Sequence, residues 1–213
     1  ATIPALLVIA AMSASAALHL PIVKRDGTDW PATVGQVALF PAGPAGALRP
    51  VQVRRASGEP VGHVVLRQAE GEPVRLAFDC SSGDTRYYVR FADAQPVSSS
   101  DWRPAAGVLL ETRRRQGGEA ERWQRIIELW KRARPVLGRG YVERIHQGVH
   151  PYGPSRELAA HYRGFFKTGS GRYAFAVNSD DASVLFVDQK RVADWPGRHG
   201  PHGGRRGQHH GTV

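Results

Sequence analysis

Cysteine and methionine are nearly missing from this chain: of 213 residues, 1 is cysteine and 1 is methionine. A single thiol, Cys80, excludes an internal disulfide, so burial and hydrogen bonding must hold the fold. Cys80 closes the run Leu76-Ala77-Phe78-Asp79-Cys80 and reads as a strand-end residue, with no helix start or base beside it to favour a reactive thiolate. Carboxylates are scarce too, 19 against 29 lysines and arginines. The one close pair, Asp180 and Asp181, are chain neighbours and do not face each other across a cleft as glycoside hydrolysis requires. There is no Gly-x-Ser-x-Gly elbow, no His-Glu-x-x-His helix and no phosphate-cradling glycine loop. His146 and His150 are four apart, but Gly148 between them and Pro151 after them deny the helix that would align them as ligands. These absences point away from an enzyme and towards binding.

Long apolar runs are confined to the start. Residues 1–18 carry no charge and run Ile3-Pro4-Ala5-Leu6-Leu7-Val8-Ile9-Ala10-Ala11-Met12, followed by the small-residue stretch Ala14-Ser15-Ala16. That is the pattern of a secretory signal over 1–17 with its cleavage site. A membrane anchor needs about 20 apolar residues, and these are small and weakly hydrophobic. The expected location is therefore secreted or cell surface, with no integral membrane segment after cleavage. Lack of disulfides is ordinary for exported bacterial proteins. The first residue is Ala1 with no basic stretch before it, and the last is Val213; both ends read as cut.

Positive charge dominates at +10, concentrated at 111–144 (10 basic, 5 acidic) and 189–213 (5 basic, 1 acidic). Such density suits nucleic acid or anionic polymers. No nucleic-acid motif accompanies it, however, and the cations at 111–144 alternate with acids as on a solvated face, so nucleic acid is not an expected partner. The tail from Arg198 to His210 is rich in histidine and glycine but has no fixed ligand spacing.

Short apolar runs at 36–40, 51–53, 63–66, 74–78 and 86–91, separated by Pro41-Ala42-Gly43-Pro44, Gly58-Glu59-Pro60 and Ser81-Ser82-Gly83-Asp84, predict an antiparallel β-sandwich over 20–95. A polar, proline-bounded linker follows over 96–106, and then a strand at 107–113 opens a second domain spanning 107–213. Trp123, Ile126, Ile127 and Trp130 recur at helical spacing and predict one amphipathic helix packing both indoles on a sheet. Glu119 and Glu121 fall in its expected first turn, Lys131, Arg132 and Arg134 in its last, and Pro135 stops it. Glu121 with Arg125, and Glu128 with Arg132, are spaced to pair.

The densest information lies at 162–188: a Gly-rich turn, the alternating run Tyr173–Val177, an acidic loop at Asp180-Asp181, and the apolar run Val184–Val187. This reads as a β-hairpin with two carboxylates at its tip. Like charges side by side are comfortable only in water or with a cation between them; equally, Asp-Asp in a turn can simply cap backbone amides.

Tyr162-x-Gly164, Gly171-x-Tyr173-x-Phe175, Ser179-Asp180-Asp181-x-Ser183, Val187-Asp188 and Trp195-x-Gly197-x-His199 occur in that order. The run, over about residues 140–213, resembles the PA-fourteen domain, a lectin-like β-barrel named after a fragment of a bacterial-toxin protective antigen. His150-Pro151-Tyr152-Gly153-Pro154 resembles the entry segment of one bacterial branch. The resemblance implies a mainly β fold ending in an incomplete barrel. It also implies calcium held by Asp180 and Asp181 across a cis peptide, where the ion touches the hydroxyls of a carbohydrate, with more ligands from a later loop beyond Val213. Two residues depart from the pattern. Ala182 stands where glycine is common after the acids, and Gln189 stands where Asp-Gly would form a favoured two-residue turn, predicting a less comfortable or longer connection. The expected function is non-catalytic binding of a glycan or other surface polymer; a structural spacer, or an accessory domain of an exported hydrolase, are the alternatives.

Overall fold

The computed structural model describes residues 20–23, 33–39, 51–67, 73–84, 86–91, 102–145, 152–153, 156–201 and 209–213. The signal over 1–17, most of the linker, and His146, His150 and His202 lie outside them. Among the described residues there are thirteen strands and one helix. The chain is mainly β with antiparallel sheets, as expected, and the described strands form no closed barrel. Two compact units emerge. One takes in Ala1–Glu111, Gly138–Tyr152 and Tyr162–Gly164; the other Thr112–Leu137, Gly153–His161 and Phe165–Val213.

In the first unit β1 (Leu20–Val23), β6 (Arg86–Phe91) and β3 (Val51–Arg55) form a sheet in the order β1-β6-β3. Strands β2 (Val34–Leu39), β5 (Val74–Asp79) and β4 (His63–Arg67) form another in the order β2-β5-β4. Both are antiparallel throughout. Alternation decides what they bury: Val51 and Val53, Val74, Leu76 and Phe78, and Tyr87, Val89 and Phe91 meet in one core with Leu39, Val61 and Cys80. Sheet-on-sheet closure of this kind is the expected sandwich. Each large apolar side chain so buried contributes about 1.5–3 kcal/mol. Burial raises the Tyr87 phenol above its ordinary pKa, against the Ser82 hydroxyl bonded to it. β1 went unread in the sequence: its Pro21 removes an amide donor and is tolerated because the strand lies at a sheet edge.

Strand β5 also buries one residue of its other face, between Arg75 and Asp79. Ala77 points away from the first core into a second, with Val34 and Leu66, flanked by Val64, Trp102, Leu109 and Tyr141. The last two residues come from β7 (Val108–Arg114) and β8 (Val136–Val142), which pair in the order β8-β7-β9 with β9 (Leu158–Arg163). Buried Gln36 makes a polar contact in this layer. Its Nε2 donates to the Tyr141 carbonyl at 2.6 Å and its Oε1 accepts the Tyr141 N–H at 2.5 Å. The side-chain amide thus stands in for a strand neighbour.

In the second unit the helix α1 (Trp123–Arg132) forms where the periodicity placed it, but one feature differs. Glu119 and Glu121 lie outside it: Arg122 is the N-cap in extended conformation, and no acid occupies the first turn. The Ala120 carbonyl accepts the Gly197 N–H at 2.7 Å, which holds the chain before the helix in another hydrogen-bonding arrangement. Glu121 therefore has no helical register with Arg125. Arg125 instead pairs with Glu128 at 2.7 Å, and that bond holds the Glu128 carboxyl below its usual pKa. Both indoles pack as anticipated. Trp123 meets Phe186 edge-on, and Trp130 meets His161 with the Arg113 guanidinium over its ring.

Candidate functional site

The acidic pair follows β10 (Ala174–Ala176), which does not pair with the strand after the loop. Instead β10 pairs antiparallel with β13 (His210–Thr212), and β11 (Ser183–Val187) pairs with β12 (Lys190–Trp195). Asp180 and Asp181 thus sit in the connection between two different sheets rather than at a hairpin tip. Local sequence does not disclose this partner, because β13 is His-Gly-Thr and carries no apolar strand signal, whereas β11 does. The choice is made by the tail, where Tyr173 exchanges backbone bonds with Val213 and the Val177 N–H reaches the His209 carbonyl at 3.0 Å.

Serines at each end of the loop shape it. The Ser179 hydroxyl donates to the Asp181 carbonyl at 2.7 Å and lies 2.8 Å from the Ser183 hydroxyl. The Asp180–Asp181 peptide is cis, the linkage the resemblance implies. Ala182 lies outside the left-handed region, so alanine fits there without the freedom of glycine. Asp180 is exposed. Asp181 faces Arg115, with Nη1 and Oδ2 3.7 Å apart. Arg115 is itself placed by its N–H on the Glu157 carbonyl and by its guanidinium on Gly118 O. Both partners of the ion pair are about a third exposed, 35% and 36%, which keeps its net worth near or below ~1 kcal/mol. Sequence reading missed Arg115, 66 positions from Asp181 in a basic stretch of three consecutive arginines.

The connection between β11 and β12 is the less comfortable of the two expected forms, and not the longer one. Val187 pairs with Lys190, leaving Asp188 and Gln189 as a two-residue turn with φ of 48° and 65°. This is the type I′ geometry with glutamine where glycine is favoured. Left-handed backbone costs a non-glycine residue about 1–2 kcal/mol, partly offset by the extra unfolded-state freedom of glycine. Gln189→Gly should therefore stabilise the protein by about 0.5–1 kcal/mol, read as a higher urea midpoint at constant slope.

The tail histidines also find an order the sequence did not disclose. His199 and His209 both stack on Trp195, at centroid distances of 3.7 and 4.1 Å and interplanar angles of 11° and 14°. His199 Nε2 lies 3.3 Å from the Trp195 carbonyl, and its buried Nδ1 has no hydrogen-bond partner among the described residues.

The acidic loop suits calcium in kind but falls short in number. Calcium takes 6–8 oxygens; two carboxylates supply part of that set, and no group of three or more His, Cys, Asp or Glu gathers among the described residues. No helix among them is long and apolar enough to cross a membrane. Comparison with protein-family models, curated proteins and solved structures returns no match.

Proposed function

We propose that the chain is a non-catalytic, exported binding module that engages carbohydrate with calcium at Asp180 and Asp181. What supports the reading most is the ordered run of residues resembling the PA-fourteen domain, centred on two adjacent carboxylates in a loop whose hydroxyl contacts shape it. In this reading Asp180 and Asp181 would hold the ion, and the ion would polarise and orient sugar hydroxyls. The exposed Asp180 carboxylate is the more accessible of the two. Asp181 would have to exchange a weak contact with Arg115 for a stronger one with a divalent ion.

The Arg115–Asp181 contact favours a second reading, in which the acids are turn residues with a tethered counter-ion and the module is a spacer. Calorimetry with calcium, together with a glycan panel read with and without chelator, separates the two. On the binding reading the chain gives calcium heat, and Asp180→Asn or Asp181→Asn weakens calcium about tenfold or more, with loss of chelator-sensitive glycan binding. No calcium heat and no glycan hit would sink it. On the spacer reading Asp181→Ala changes only stability, by about 0.5–1 kcal/mol.

A further inference from the structure

Beyond the acidic loop, the segment between β9 and β10 presents apolar surface and charge together. Phe165 is fully exposed and Phe166 more than half exposed. Phe166 is braced edge-on against Phe175 at 5.3 Å, while Phe165 projects without a ring partner among the described residues. The segment is tied down behind them: the Tyr173 hydroxyl donates to the Gly169 carbonyl at 3.1 Å, and Arg172 reaches the Thr212 hydroxyl at 3.2 Å. Its charge is of one sign. From Leu158 to Ser179 the sequence carries Arg163, Lys167 and Arg172 and no carboxylate. Lys167 is exposed and has no ion-pair partner among the described residues.

We infer that Phe165 and Phe166, with Lys167 next to them in the chain and Arg172 further along the same segment, form a docking loop for an anionic lipid surface. Water gives a naked phenylalanine nothing, whereas the boundary between headgroups and acyl chains accepts an aromatic ring and draws cations to the phosphates. The chemistry discriminates among occupants. A sugar platform benefits from an aromatic with a polar handle, and phenylalanine has none. A second copy docked face to face would set Lys167 and Arg172 against their own like charges. A purely electrostatic polymer would have no use for an exposed ring. This inference does not depend on the calcium reading, since none of its residues belongs to the acidic loop.

The test is co-sedimentation of the full chain with vesicles of phosphatidylcholine alone and of phosphatidylcholine with phosphatidylglycerol. Expected is binding to the anionic vesicles that falls at high salt, about tenfold or more weaker for Phe165→Ser and a few-fold weaker for Lys167→Gln. Circular dichroism should be unchanged in Phe165→Ser, whose ring has no packing partner to lose. The inference is overturned by absence of binding to anionic vesicles, or by equal binding to phosphatidylcholine alone. Unchanged binding by Phe165→Ser overturns it as well. So does vesicle-free self-association that Phe165→Ser abolishes, which would identify a second copy as the occupant. Retention on a soluble acidic polysaccharide that competes with vesicles, and that both variants keep, would mark charge alone and overturn it too.

Discussion

Phe78→Ala should lower the unfolding free energy by about 3–5 kcal/mol, the largest effect of any single change considered. Phe78 is 1% exposed and lies in the central strand of its sheet. Its ring meets Tyr87 of the opposite sheet at 5.0 Å and covers Gly35, its register partner, so closely that a Cβ at Gly35 would come within 2.5 Å of the ring. Truncation leaves a cavity between Gly35, which has no side chain to fill it, and Tyr87, whose backbone is held in the opposite sheet by register pairs on both sides. Collapse would require those paired strands to shift, so much of the space stays open. Against a typical total stability of about 5–15 kcal/mol, the loss would be visible as a large drop in the urea midpoint followed by circular dichroism. A change below about 1 kcal/mol would mean that the two sheets do not share the core described.

Gln36→Leu should cost about 2–4 kcal/mol, although it places a more apolar side chain in a buried position. Gln36 satisfies both the N–H and the C=O of Tyr141, and a buried backbone group left without a partner costs about 1–3 kcal/mol. Leucine matches the volume but offers neither donor nor acceptor. Gln36→Glu keeps the acceptor for the Tyr141 N–H, loses the donor to its carbonyl and introduces a buried charge, so it should also destabilise. Urea titration of both variants checks this; a Gln36→Leu protein as stable as the parent would remove the bridging role of the amide.

Elements whose cause is local were legible in the sequence. The alternation of Val74, Leu76 and Phe78, the pattern Tyr87, Val89 and Phe91, and the spacing Trp123–Ile126–Ile127–Trp130 each specify a buried face without reference to anything distant. Elements whose cause is distant were not. β8 contains Gly138 and Gly140, which argue against a strand on propensity. The reason for them is packing: a Cβ at either position would collide with Tyr152. β13 is three residues long within a glycine- and histidine-rich tail and exists through its bonds to Tyr173 and the strand after it. The same non-local pairing moved Asp180 and Asp181 from a hairpin tip to a crossing between sheets. Of the candidate site, the acids and their flanking serines could be read directly; Arg115 could not, because nothing in a run of three arginines marks which one turns towards a carboxylate.

Two imidazoles stack on the indole of Trp195, and that has an optical consequence. Ring nitrogens in van der Waals contact with an excited indole, above all in protonated form, drain its emission by charge transfer. Trp195 is thus expected to be the dim member among five tryptophans while His209 stays seated. Its brightening, assigned by comparison with Trp195→Phe, would serve as an intrinsic lamp for departure of the C-terminal segment from its sheet.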